Sequence, residues 1–177
     1  MIKKVSVLAL IFVLVTACSS TKDQSMTTSS PSTMATVSDS KTTFPQVNLL
    51  ELNTGKSLTS AALVKPIVIT FWASWCSTCR EEFPLWRDKA LADHVIGMNV
   101  QDAQSSDSLR KAAGQLMADN HTVFPSYIDK DGVLTSKLGI IGLPITIALA
   151  KDGRILDRHD GVMTKQLMAE FIALTQK

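Results

Sequence analysis

The stretch Phe71-Trp72-Ala73-Ser74-Trp75-Cys76-Ser77-Thr78-Cys79-Arg80-Glu81-Glu82-Phe83-Pro84 decides the fold. It holds two of the three cysteines and two of the three tryptophans of a 177-residue chain. Upstream, Ile67 to Phe71 is a continuous apolar run, as expected of a central strand covered on both faces. Downstream, a charged stretch with helical spacing predicts a helix from about Cys76 to Leu91, kinked at Pro84. Two cysteines two residues apart at a strand-to-helix junction read as a dithiol/disulfide redox couple. The thiolate is the reactive form, and the partial positive charge of a helix start favours it. Cys76, just before the first turn, is expected to be the exposed attacking thiol. Cys79 lies deeper on the same face and is expected to resolve the mixed disulfide. One of Trp72 and Trp75 should be core, and the other should line the approach to Cys76.

Metal chemistry is the rival reading of the pair. A structural zinc site needs a second pair of ligands. Only His94, His121 and His159 remain, and no two of them stand at short spacing. Thiolates suit Cu(I), so a copper-binding chaperone using Cys76, Cys79 and a distant histidine such as His159 is the alternative to catalysis.

The N-terminus has its own logic. Lys3 and Lys4 precede an eleven-residue apolar run, Val5 to Val15, followed by Thr16-Ala17-Cys18. The run is far below the roughly 20 residues a membrane-spanning helix needs, and the pattern is that of a signal peptide over residues 1–17. Val15-Thr16-Ala17-Cys18 resembles a bacterial lipobox. That resemblance implies cleavage before Cys18 and a diacylglycerol on its thiol. Loss of Lys3 and Lys4 leaves 16 basic and 16 acidic side chains, so the mature protein lacks a nucleic-acid footprint. With Cys18 carrying lipid, Cys76 and Cys79 are the remaining thiols, too few for a structural disulfide framework.

Residues 18–43 read as the lipidated cysteine plus a disordered tether. Fifteen of the 25 residues from Ser19 to Thr43 are Ser or Thr, a composition that cannot offset its ordering entropy. As a flexible coil it spans roughly 25–30 Å. The folded domain is expected over residues 44–177. Phe44 to Leu49 reads as a first strand and Ser57 to Leu63 as a short helical turn. Val95 to Val100 reads as a strand, Asp107 to Met117 as a helix, and Val123 to Ile128 as a short strand. Gly132 to Gly139 reads as a turn with a short helical piece. Ile145 to Ala150 and Ile155 to His159 form a hairpin about Lys151-Asp152-Gly153-Arg154. Thr164 caps a last helix ending near Leu174. The order predicts an α/β sandwich with a mixed central sheet flanked by helices.

The segment Phe71 to Cys79 resembles the active-site signature of the thioredoxin fold. More narrowly, it is similar to the membrane-tethered TlpA/ResA-type thiol:disulfide oxidoreductases. Further marks are Pro84 five residues after the second cysteine, Glu82 within Cys79-Arg80-Glu81-Glu82-Phe83-Pro84, Gly142-Leu143-Pro144-Ile145-Thr146, and the turn Lys151 to Arg154. The resemblance implies a three-layer sandwich. It implies a cis Pro144 facing the disulfide, with Trp75, Leu143 and Pro144 meeting the substrate strand. It also implies a buried Glu82 acting as proton acceptor for Cys79. Thioredoxin's acid six residues before the first cysteine is replaced here by Thr70, which cannot take that role. No cofactor beyond the Cys76–Cys79 couple is implied. The implied partners are exported cysteine-containing proteins, apocytochrome c among them, and a membrane thiol electron donor of the DsbD/CcdA type. The implied direction is reduction, with a disulfide-forming oxidase as the alternative. The implied place is the bacterial cell envelope, facing the periplasm or exterior. Ser19 after the lipid-bearing cysteine resembles outer-membrane sorting in enteric-type bacteria.

Overall fold

The computed structural model describes residues 42–63, 65, 67–100 and 107–177. The predicted signal peptide, Cys18 and nearly all of the predicted tether lie outside the described residues.

Seven strands form one sheet: β1 (Asn48–Glu51), β2 (Ser57–Thr59), β3 (Ile67–Trp72), β4 (Val95–Asn99), β5 (Ser126–Ile128), β6 (Ile145–Leu149) and β7 (Ile155–Asp160). Their spatial order is β2-β1-β5-β4-β3-β6-β7. β3, β4 and β5 run parallel, and the remaining pairs are antiparallel. The expected mixed sheet is the one found.

β3 is buried along its whole length because both faces are covered. Its side chains alternate between two cores. Ile67, Ile69 and Phe71 join Ile147, Leu149 and Leu134 on one face. Val68 and Trp72 join Phe83, Trp86, Met168 and Phe171 on the other. Thr70 shares the second face by the same alternation, and that face carries the cysteines.

The long helix expected from Cys76 to Leu91 is instead three short pieces. A 3-10 turn spans Thr78–Glu82, α1 spans Phe83–Trp86 and α2 spans Lys89–Ala92. Pro84 sits in the first turn of α1, where a missing N–H costs nothing. Asp88 is extended, and its carboxylate accepts from the Ala90 N–H, which starts a new helix rather than continuing the old one. The first strand begins at Asn48 rather than Phe44. Within 57–63 the expected helical turn is the 3-10 turn at Ser60–Ala62, and the residues before it form an unexpected edge strand, β2, paired with β1.

The later elements follow their predicted places as α3 (Asp107–Asp119), α4 (Val133–Lys137) and α5 (Lys165–Thr175). Thr164 caps α5, its hydroxyl accepting from the Leu167 N–H at 3.1 Å. α5 packs over β3 and β6 on the cysteine-bearing face. Gly97 in β4 leaves room for the side chains of Phe124, Ser126 and Trp72. A Cβ there would stand 2.5 Å from the Phe124 ring, 2.6 Å from Ser126 Oγ and 2.8 Å from Trp72 Nε1.

Candidate active site

β3 delivers the chain to the end of the sheet, where a tight loop turns it into the 3-10 segment. The Cys76 N–H donates to the Ala73 carbonyl at 3.1 Å, and Arg80 Nη2 donates to the Ser74 carbonyl at 2.8 Å. Cys76 and Cys79 form a disulfide with Cα atoms 5.4 Å apart. The Cys79 N–H donates to Cys76 Sγ at 3.1 Å, a contact that favours negative charge on that sulfur when the bond is open. Because the turn is 3-10 and short, it is this single amide, not an extended helix dipole, that faces Cys76.

Both sulfurs are largely covered, with Cys76 5% and Cys79 1% exposed, so Cys76 is less exposed than expected. Of the two, only Cys76 lines the surface cleft of about 450 Å³. Trp75, Thr78, Val100, Ile141 and Leu143 line the same cleft. Trp72 is core, edge-on to Phe83 with ring centroids 6.3 Å apart, whereas Trp75 is 60% exposed at the cleft.

The Leu143–Pro144 peptide bond is cis. Thr78 links the two halves of the site. Its hydroxyl lies 3.4 Å from Cys76 Sγ and donates to the Leu143 carbonyl at 3.4 Å. The sequence gives no sign of this link, since the partner of Thr78 is 65 positions away. Ile141, 98% exposed, was also missed. Its one sequence signal is an apolar residue in a Gly-flanked loop.

Glu82 is 1% exposed. One carboxylate oxygen accepts from the Met163 N–H at 2.8 Å and the other from the Thr70 hydroxyl at 3.4 Å. Burial pushes its pKa up from 4.5 to about 7, although both donors pull the other way. Cys79 and Glu82 are three apart within one 3-10 turn, where side chains at i and i+3 eclipse. Its neighbour Glu81 is exposed.

Among the described residues no group of three or more His, Cys, Asp or Glu side chains is placed to hold a metal ion. No described helix is long and apolar enough to cross a membrane.

A redox disulfide at the end of a central parallel strand, on this strand order and against a cis-proline loop, defines the thioredoxin-like thiol:disulfide oxidoreductases as the class. The chain belongs to the Redoxin family, whose profile matches residues 39–172. It is 33% identical over 135 residues to the thioredoxin-like protein YneN of Bacillus subtilis, covering 73% of this chain and 76% of that one. It is 34% identical over 142 residues to the thiol:disulfide interchange protein DsbE of Pseudomonas fluorescens biotype C, covering 76% of each. Among solved structures, a thio-disulfide isomerase from Thermus thermophilus superposes with a TM-score of 0.62 at 24% identity, over 75% of this chain and 94% of that one.

Proposed function

We propose that this enzyme is a lipid-anchored reductant of the bacterial envelope, delivering electrons to disulfides of exported proteins through Cys76 and Cys79. Cys76 thiolate attacks a substrate disulfide, forming a Cys76–substrate S–S bond and releasing one substrate thiolate. Cys79 loses its proton to Glu82 and attacks Cys76 Sγ. The Cys76–Cys79 bond forms, the second substrate thiolate leaves, and two electrons have passed to the substrate. The asymmetry of the pair carries this reading. Cys76 opens on the cleft, while Cys79 lies beneath it on the turn that carries buried Glu82. A carboxyl group near pH 7 is matched to exchanging a proton at neutral pH.

The cleft supports an extended substrate segment held between Trp75 and Leu143-Pro144, with Thr78 fixing the distance between cysteine and loop. Relatives that carry the name thiol:disulfide interchange protein support exchange between cysteine pairs as the reaction. An apocytochrome c haem-site cysteine pair is one substrate of the right chemistry. A membrane thiol donor of the DsbD/CcdA type would return electrons to the couple. Cys18 would carry the lipid and residues 19–43 the tether, with the outer membrane as the site in an enteric-type cell.

Cys79→Ser tests this directly. It leaves Cys76 able to attack but the mixed disulfide unable to resolve, so envelope proteins should accumulate on Cys76 and be released by dithiothreitol. Adducts that persist when Cys76 is also replaced by Ser would refute the assignment. A couple potential near −270 mV fits a reductant, and one near about −120 mV would turn the enzyme into an oxidase.

A further inference from the structure

Glu82 has a second problem beyond taking a proton, which is losing it again. Its surroundings leave few exits. From the segment before α5 it meets the Met163 backbone N–H, which donates and cannot accept a proton. Within its own turn lies Cys79. From β3 it meets the Thr70 hydroxyl. Burial and these two hydrogen bonds account for its titration, with no charged side chain among the causes.

Thr70 does not stand alone. It pairs directly with Thr146 across β3 and β6, and Thr146 pairs directly with His159 across β6 and β7. Directly paired residues on neighbouring antiparallel strands point to the same face with Cβ atoms about 4.5–5.5 Å apart. Thr70, Thr146 and His159 therefore form one row, on the face that carries Glu82, running from the sheet centre to its last strand. Thr146 is fully buried, yet its hydroxyl has no hydrogen-bond partner. A buried hydroxyl without a partner is costly, and it is free to turn toward either neighbour. His159 is half-buried on the edge strand. The charged groups beside it on β7 are Asp157 on the same face and the Arg158–Asp160 ion pair.

We infer that Thr70, Thr146 and His159 form a proton relay that connects buried Glu82 to solvent at the edge of the sheet. This rests on the reading of Glu82 as proton acceptor for Cys79. As Cys79 loses its proton to Glu82 within the resolving step, Glu82 passes a proton on to Thr70 Oγ1. The Thr70 proton passes to Thr146 Oγ1, the Thr146 proton passes to an imidazole nitrogen of His159, and His159 releases it to water. Each hydroxyl gains one proton and loses one, no electrons move, and the net change is one proton from Glu82 to solvent. His159 and Thr146 act through Glu82 and touch neither substrate nor sulfur.

The test is single-turnover oxidation of the reduced enzyme by glutathione disulfide across the pH range, for wild type, T146V, H159A, E82Q and the doubles with E82Q. T146V and H159A should each slow the Cys79-dependent step about tenfold at neutral pH. Added imidazole should restore H159A and leave T146V slow. T146V should not lower the urea midpoint, since it removes an unpartnered hydroxyl, whereas a merely structural Thr146 would. In the E82Q background neither substitution should slow the step further. Wild-type rates in T146V and H159A, beside an altered pH profile in E82Q, overturn the relay and leave the Glu82 assignment standing. Slowing that adds to that of E82Q also overturns the relay. A wild-type pH profile in E82Q overturns both.

Discussion

Replacing Glu82 by Gln should abolish a pH dependence of stability whose size follows from the structure. Below about pH 4.5 Glu82 is protonated in the folded and the unfolded chain, and its burial imposes no ionic penalty. Between 4.5 and about 7 the unfolded chain releases the proton while the folded chain keeps it. The folded state then binds more protons, so stability falls as pH rises, by 1.36 kcal/mol per pH unit. Above about 7 the carboxyl is ionised in both states and the loss is complete, about 3 kcal/mol over the interval. Gln keeps the shape. Its carbonyl accepts from the Met163 N–H, its amide donates to Thr70 Oγ1, and it never ionises. The assay is urea unfolding of the oxidised protein at intervals from pH 4 to 8, where no thiol titrates. The other ionisable groups are common to both proteins and cancel in the difference. The stability of E82Q relative to wild type should climb by about 3 kcal/mol between pH 4.5 and 7.5 and then level off. A difference that stays flat across this range would show that Glu82 ionises at its ordinary pH, and that burial does not govern it.

Three further substitutions probe the cleft and its scaffold. Ile141→Asp places a charge on the exposed apolar lip of the cleft and should raise KM for a protein disulfide at least about tenfold, leaving the unfolding midpoint unchanged; an unaltered KM would remove Ile141 from the substrate path. Gly97→Ala forces a Cβ to within 2.5–2.8 Å of Phe124, Ser126 and Trp72, and should cost about 3 kcal/mol by denaturant unfolding while breaking the Trp72–Ser126 hydrogen bond. Thr164→Ala removes the cap of α5 and should cost about 1 kcal/mol, measured the same way.

The elements most legible in the sequence are those whose signals are local. β3 announces itself by an unbroken apolar run, the β6–β7 hairpin by its Asp152-Gly153 turn, and α5 by Thr164. The helix after the cysteines was misjudged because its charges keep helical spacing through Asp88, while the break there depends on that side chain turning back to cap the next helix. β2 was missed because three residues of an edge strand carry no periodicity, and β1 supplies the reason they are extended. The cysteines were plain from spacing alone. Which of Glu81 and Glu82 is buried was not, since that depends on the 3-10 geometry of the turn and on Met163, 81 positions away. Asp129 escaped notice for the same reason. It is buried, and its carboxylate receives the N–H groups of Leu134 and Thr135 at the start of α4, a role visible only once the turn is closed.

That the buried acid stands at Glu82 on the cysteine turn, with Thr70 on β3, has a structural consequence of its own. An acid on β3 would be held by the sheet. Glu82 instead projects from the turn that carries Cys79 and is gripped from two sides, by a hydroxyl of the central strand and by a backbone amide of the segment leading into α5. Its carboxylate thus joins the cysteine turn, the sheet and the C-terminal helix at one buried point. Both grips are neutral donors, which favour the ionised form, yet desolvation outweighs them. The balance leaves a group that gains and loses a proton near neutral pH while remaining tied to three elements. A change in its charge is therefore felt both at the turn that holds the disulfide and at the anchor of α5. The same contacts that hold the fold together at this point also set the protonation of the carboxyl group beside the cysteine pair.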